Sequence, residues 1–208
     1  MKRLKQTVIW VLATLVVSAS IGVWSAAASE PARARIEHFD GQLVATMKQA
    51  SELGFEGRYR KLAAIIDETF DLQRIARLAL GGEWTTLDAG QQKAYLDKFR
   101  KDTIATYAQR FDGYDGQRFE ITGTHNVAGA RRQVDTVIID ASGKRTPISY
   151  VLDNEGGEWR VINVVARGVS DLALKRGQYT GVIRDQGPEA FLDHFDRQLA
   201  KYPALPPS

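Results

Sequence analysis

Three β-rich segments follow one another in the second half of the chain, with only short turns between them. Their side chains are often β-branched and alternate with a period of two, over residues 132–141, 146–153 and 158–166. The turns at 142–144 and 155–157 contain glycine and are too short for a crossover helix. Together with a further run at 117–124, these segments predict an antiparallel sheet of about four strands.

Helical periodicity is found on both sides of these strands. Before them, apolar residues recur at steps of three and four in the stretches 32–53, 59–66, 72–80 and 87–111. After them, Ser170 is placed to cap a further helix, and Pro188 suits the first turn of a last one. The order predicts an α+β domain with several helices packed on one face of the sheet. Since no linker divides it, residues 29–208 are predicted to form a single domain.

The first 28 residues have the pattern of a secretory signal peptide. The basic start consists of Lys2, Arg3 and Lys5. An apolar run then fades after Val17, and Ala26-Ala27-Ala28 offers small residues to a signal peptidase, so we predict cleavage after Ala28 and export. The alternative is an uncleaved anchor, because the stretch that ends at Trp24 is nearly long enough to cross a bilayer.

The composition narrows the possible functions of the mature chain. Without the three bases of the leader, 25 basic residues face 25 acidic ones, which argues against nucleic acid as a partner. Zero cysteine excludes disulfides and thiolate metal sites. The three histidines, His38, His125 and His194, lack the spacing of a metal site, and no glycine-rich nucleotide loop occurs. We therefore predict neither a metal nor a cofactor.

One group of carboxylates invites a catalytic interpretation. Asp67, Glu68 and Asp71 stand close together in the sequence, where an acid and a base of a hydrolase would be sought. Acidic residues are also favoured at the start of a helix, where they cap free N–H groups and interact well with the helix dipole. The capping interpretation requires no catalysis, and no other motif supports an enzyme.

Several short motifs occur in an order that resembles one known family. In the first half they are Phe70-Asp71, Leu80-Gly81-Gly82-Glu83-Trp84, Gln91-Gln92, Phe99 and Thr106-Tyr107-Ala108. In the second half they are Trp159-Arg160-Val161, Gly168-Val169-Ser170 and Gly177-Gln178-Tyr179. The ordered set extends from Arg33 to Leu199 and resembles the toluene-tolerance family of periplasmic lipid-binding proteins, the MlaC-like proteins.

The segment at 171–176 departs from the common type of this family, whose asparagine-tyrosine-arginine is missing. Instead, residues 170–173 together with Val182-Ile183-Arg184 look like the hopanoid-biosynthesis-associated branch, often called HpnM. The lipid that the resemblance implies is therefore either a phospholipid or a hopanoid.

The resemblance implies a carrier of lipid in the periplasm and not an enzyme. Its curved antiparallel sheet and its helices would enclose an apolar cavity for the lipid, and its partner would be an inner-membrane lipid transporter complex. Two alternatives stay open: a periplasmic lipid- or glycan-modifying enzyme that uses carboxylates such as Asp67, and an envelope adaptor that binds no lipid.

Alternation along the strands, together with the long helix, suggests which side chains contact the lipid. The candidates are Phe99, Tyr107, Val137, Ile139, Tyr150, Leu152, Trp159 and Val161. An error of one residue in the register of a strand exchanges the two faces of the sheet, so the strand candidates depend on the register.

Overall fold

The computed structural model describes residues 30–203 and 205–206, and the predicted signal peptide lies outside them. The helices are α1 (Pro31–Lys48), α2 (Ala50–Thr69), α3 (Leu72–Leu80), α4 (Ala89–Arg110) and α5 (Asp171–Leu199). The strands are β1 (Arg118–Asn126), β2 (Arg132–Ile139), β3 (Arg145–Glu155), β4 (Glu158–Ala166) and β5 (Val169–Ser170). A 3₁₀ helix at Gly81–Thr86 joins α3 to α4. The predicted α+β class is confirmed.

The five strands form one sheet in the order β1-β2-β3-β4-β5, and every neighbouring pair is antiparallel. The four predicted strands are present, and the two-residue β5 adds a fifth. It follows β4 through a turn in which Arg167 and Gly168 both have positive φ, 53° and 79°. This left-handed geometry matches the twist of a tight hairpin, so the chain turns back at once and enters α5.

Two irregularities in the ladder change which side chains share a face. In β1 the register shifts between Ile121 and Gly123, and between β3 and β4 it shifts at Val151 and Leu152. Beyond each shift the alternation resumes with one extra residue on one strand. Therefore Tyr150 lies opposite Val164, whereas Leu152 lies opposite Val161.

Side chains cap several of the helices. Asp71 Oδ1 accepts the backbone N–H of Arg74 at 2.9 Å at the start of α3. Asp88 and Gln91 form a reciprocal capping box on α4. The predicted cap Ser170 is confirmed, since its hydroxyl accepts the N–H of Ala173 at 3.1 Å.

The two last predicted helices are one element, α5, with a break. Gly187 has φ 85° and ψ 171° directly before Pro188, so the helix bends there. Tyr179 before the bend and Phe195 after it both pack on Tyr95 of α4, with ring centroids 6.3 and 5.5 Å away. This aromatic cluster holds both arms of α5 against α4.

Candidate functional site

The candidate site is the interior between α1, α4 and the helix-facing side of the sheet, which we call the sheet-facing interior. Cross-strand partners share a face, and one row on this side runs from Thr124 through Val134 and Tyr150 to Val164. Helix α1 covers this side of the sheet and contacts β1, β2 and β4. Its buried side chains recur at helical spacing, as expected for a helix that covers a sheet.

Aromatic rings fill much of this interior. Phe39 of α1 lies between three of them, with centroids 5.2 Å from Phe70, 5.8 Å from Tyr107 and 6.1 Å from Tyr150. Tyr107 also stacks on Phe111 at 5.7 Å. Contacts of this kind are mainly apolar, and edge-to-face packing adds a modest electrostatic gain. The interior is therefore an apolar core in which aromatic side chains of several elements pack against one another.

Polar groups without partners lie within this apolar volume. Asp40 is 5% exposed and Thr136 is 1% exposed. Among the described residues, no hydrogen bond reaches either carboxylate oxygen of Asp40 or the hydroxyls of Thr124 and Thr136. Burial raises the pKa of the Asp40 carboxyl from its ordinary 3.8 to about 8. The side chain is therefore largely a neutral carboxylic acid at neutral pH.

Five of the eight predicted contact residues lie on the helix-facing side of the structure's sheet or beside it. Tyr150, Leu152 and Val161 are buried in the core that joins the sheet to the helices, and Tyr107 packs against the same core. Trp159 is half-buried on this side, and the Arg132 guanidinium lies over its ring at 5.5 Å. Whether these side chains contact a ligand stays a prediction.

The other three predicted residues are placed differently. Phe99 is buried but lies beside Tyr95 at 5.8 Å, in the helical aromatic cluster. Val137 and Ile139 belong to the opposite face of the sheet, and placing them with Tyr150 was an error of register. The two are an odd number of residues from Val134 along β2, a strand without a shift in its pairing to β3, and side chains alternate along a strand.

The sequence reasoning missed Asp40 as a member of this site. The available signal was local: an acidic residue stood on the apolar stripe of a helix, next to Phe39 and between Ile36 and Leu43. A carboxylate is rarely buried without a partner, so such a position is informative.

The three carboxylates considered for catalysis each have a structural partner. Asp67 binds Arg100 through two oxygens, one of them at 2.8 Å, and Glu68 pairs with Arg35. Asp71 caps α3, so the capping interpretation is confirmed for it. Asp67 and Asp71 line an open cleft of about 610 Å³ together with Arg74, Arg100 and Arg160. The lining also includes Asp97, Asp153, Glu155 and Glu158, so acids outnumber the three arginines in this cleft.

Two further properties concern metals and membranes. Within the described part of the chain, no three His, Asp or Glu side chains are grouped as metal ligands. Of the helices between residues 30 and 203, none is long and apolar enough to cross a bilayer.

The comparison with known proteins decides the family. The family model described as "MlaC protein" matches residues 37–197. The chain belongs to the MlaC family. This confirms the resemblance read from the ordered motifs, while the hopanoid-associated branch stays a prediction.

Two curated relatives show how far the likeness extends. A toluene tolerance protein, ttg2D, of Pseudomonas putida is 26% identical over 47% of this chain and 45% of its own length. The intermembrane phospholipid transport system binding protein MlaC of Haemophilus influenzae is 25% identical over 65% of this chain and 64% of its own. The chain thus spans about half to two thirds of the curated relatives that it matches.

A solved structure shares the MlaC fold of this chain. The phospholipid-binding protein of Ralstonia solanacearum, solved in complex with a phospholipid, superposes with a TM-score of 0.72 and 20% identity. The match covers 83% of this chain and 98% of that one. At this identity the likeness establishes the fold.

Proposed function

We propose that this protein is a periplasmic carrier that binds a membrane lipid in the sheet-facing interior and moves it between membranes. The lipid is a phospholipid or a hopanoid-type lipid, and the partner is an inner-membrane lipid transporter complex. The observation that carries the proposal is the MlaC family match over residues 37–197. A protein of the same fold, solved with a phospholipid bound, supports it.

The physical task of such a carrier is to shield apolar chains from water. Exposing an acyl chain to water costs about 0.8 kcal/mol per methylene, so an acyl chain of about sixteen carbons would cost on the order of 10 kcal/mol. An apolar interior removes most of this cost without covalent chemistry. In this chain the interior is lined by strand residues such as Tyr150, Leu152 and Val161 and by Tyr107 of α4.

The packed aromatic rings suggest how the empty and loaded forms differ. Phe39, Tyr107 and Tyr150 occupy the volume that chains would enter, and each of them contacts at least one other ring. Rotation or displacement of such rings opens space without breaking a hydrogen-bonded ladder. Loading therefore moves these rings, while the strands keep their register.

The decisive experiment is native mass spectrometry of the protein purified without detergent, followed by identification of the extracted lipid. We expect a bound lipid in the unextracted sample, and uptake from labelled phosphatidylglycerol vesicles after delipidation. Empty preparations that take up nothing would remove the carrier function. A protein partner retained without any lipid would favour the adaptor.

The enzyme alternative has its own test. Replacing Asp67 and Asp71 by Asn and Glu68 by Gln removes the three candidate acids, and Asn still caps a helix well. A carrier keeps its lipid uptake in this triple variant. Wild-type turnover of an envelope lipid or glycan that collapses in the variant would establish the enzyme instead.

A further inference from the structure

The buried face of α1 presents a carboxyl group to an apolar interior. Asp40 shares this face with Ile36, Phe39 and Leu43, all of them fully buried. Its neighbour Phe39 contacts Tyr107 of α4 and Tyr150 of β3. Helix α1 packs on β1, β2 and β4. Asp40 is therefore buried on a helix that covers the sheet-facing interior.

The strand across from α1 contributes a second unpartnered polar group. Thr136 lies two residues from Val134 along β2, on the same helix-facing side, and Val134 is in register with Tyr150. The Thr136 hydroxyl is buried, and within residues 30–203 it neither donates nor accepts a hydrogen bond. Two separate elements thus direct unpaired polar atoms into the same volume.

Unpaired polar groups are costly inside a protein, because they lose water and gain no replacement. Some other buried polar side chains are satisfied: Thr46 of α1 donates to the Gln42 carbonyl at 2.8 Å, and Tyr95 donates to the Ala76 carbonyl at 3.0 Å. The hydroxyls of Thr69 and Thr124 lack a partner as well, and Thr124 lies on the same helix-facing row as Val134. The unpaired groups at Asp40 and Thr136 call for a missing partner. A saturated acyl chain cannot be that partner, because it has neither donor nor acceptor.

We infer that Asp40 and Thr136 bind a hydroxyl group carried on the buried, otherwise apolar part of the lipid. The inference rests on the proposed carrier function and specifies its ligand class. A carboxylic acid both donates and accepts, as does a threonine hydroxyl, so a ligand hydroxyl can complete the hydrogen bonding of either group. The pair then favours lipids hydroxylated within the membrane-buried region over plain diacyl lipids.

The test uses the full mature chain and a matched set of lipids. Vesicles contain equal amounts of distearoyl phosphatidylglycerol and of one analogue whose stearoyl chain bears a hydroxyl at carbon 8, 10, 12 or 14. Native mass spectrometry resolves the two bound species by mass. We expect at least one isomer to be enriched about fivefold in the wild type, the factor that one buried hydrogen bond provides.

Three variants separate a ligand contact from a general effect. Asp40→Leu and Thr136→Val remove the two polar groups and should reduce the enrichment to about one, a ratio that a general loss of loading leaves unchanged. Asp102→Leu is the matched control, because that carboxylate of α4 already accepts from the Tyr202 hydroxyl at 3.1 Å. It should retain the preference.

Each remaining outcome has a defined meaning. If the wild type loads lipid without preferring any isomer, water alone completes these groups and the inference is wrong, although the carrier function stands. The same holds if Asp40→Leu keeps the enrichment. A wild type that loads no lipid at all removes the carrier function itself, which is a different result.

Discussion

The backbone N–H of Asp71 donates to the carbonyl of Val161 at 3.0 Å, and thereby joins the α2–α3 junction to the middle of β4. The residue before Asp71, Phe70, forms a parallel bridge with the same Val161. Because the Asp71 side chain also caps α3, one residue fixes a helix start against the sheet. The contact between the α2–α3 junction and β4 is thus hydrogen-bonded as well as apolar.

Replacing Asp71 by alanine should therefore lower the free energy of unfolding by about 1 kcal/mol, the usual cost of a lost N-cap. Asp71→Asn should cost much less, because asparagine accepts the same N–H. Urea unfolding of the three proteins measures the difference. Equal losses in both variants would show that the charge, and not the cap, is the stabilising feature. Lipid uptake should be unchanged in each.

A matched pair of valines tests which side of the sheet binds lipid. Val164 and Val137 are both half-buried strand residues, but Val164 shares the face of Tyr150 and Val137 lies on the other face. We expect Val164→Trp to reduce lipid uptake from labelled vesicles severalfold, because the ring takes volume that the lipid needs. Val137→Trp should leave uptake near the wild-type level. Thermal unfolding of both variants controls for loss of structure, and equal uptake by the two would contradict the assignment of the site.

The stability of the protein should depend on pH through Asp40. In the unfolded chain this carboxyl titrates near 3.8, whereas burial raises its pKa to about 8 in the folded protein. Between those values the folded state holds one more proton, so the free energy of unfolding falls as pH rises, by at most about 1.4 kcal/mol per pH unit. The contribution is complete below pH 4 and is lost above about pH 8.

Urea unfolding of the wild type and of Asp40→Asn from pH 5 to pH 8 checks this dependence. The neighbouring Tyr107 and Tyr150 do not titrate in this range, because burial raises their pKa values above the ordinary 10.0. The variant should lose less stability across the range than the wild type. Parallel curves would mean that Asp40 is ionised in the folded protein or exposed to water.

Removing the unpartnered hydroxyl of Thr136 should stabilise the empty protein. Valine has nearly the same shape, and the buried hydroxyl lacks a partner in residues 30–203, so Thr136→Val should raise the free energy of unfolding by about 1 kcal/mol. Thr46→Val is the control, since that buried hydroxyl is bonded to Gln42 and its removal should bring no gain. Chemical unfolding of the delipidated proteins measures both. A loss of stability in Thr136→Val would reveal a partner for the hydroxyl.

Much of the fold followed from the sequence, because local patterns specify local structure. The glycine turns at 142–144 and 155–157 fixed consecutive hairpins, and Ser170 marked the start of α5. Pro188 signalled a boundary that proved to be a bend within one helix, at Gly187, which has no side chain to resist its positive φ.

The face of the sheet on which each strand side chain lies was harder to predict from the sequence. Bulges in β1 and β4 insert one residue each, and no composition rule marks where they fall. In β2, Val137 and Ile139 are an odd number of residues from Val134. Since Val134 faces the helices, Val137 and Ile139 had to lie on the opposite face. Asp40 was missed because its burial depends on α4 and β3. These elements are far away in the chain, and their described residues contribute no cation to the carboxylate.

The two-residue length of β5 has a consequence for how copies of this protein meet each other at high concentration. An outer strand with a long row of free N–H and C=O groups is a template for pairing with another molecule. Here β4 is followed by only Val169 and Ser170 before the chain becomes α5, whose own backbone groups are bonded internally. At the opposite edge, the bulge beside Gly123 interrupts the regular ladder of β1. The sheet is thus ill-suited to aggregation through strand addition.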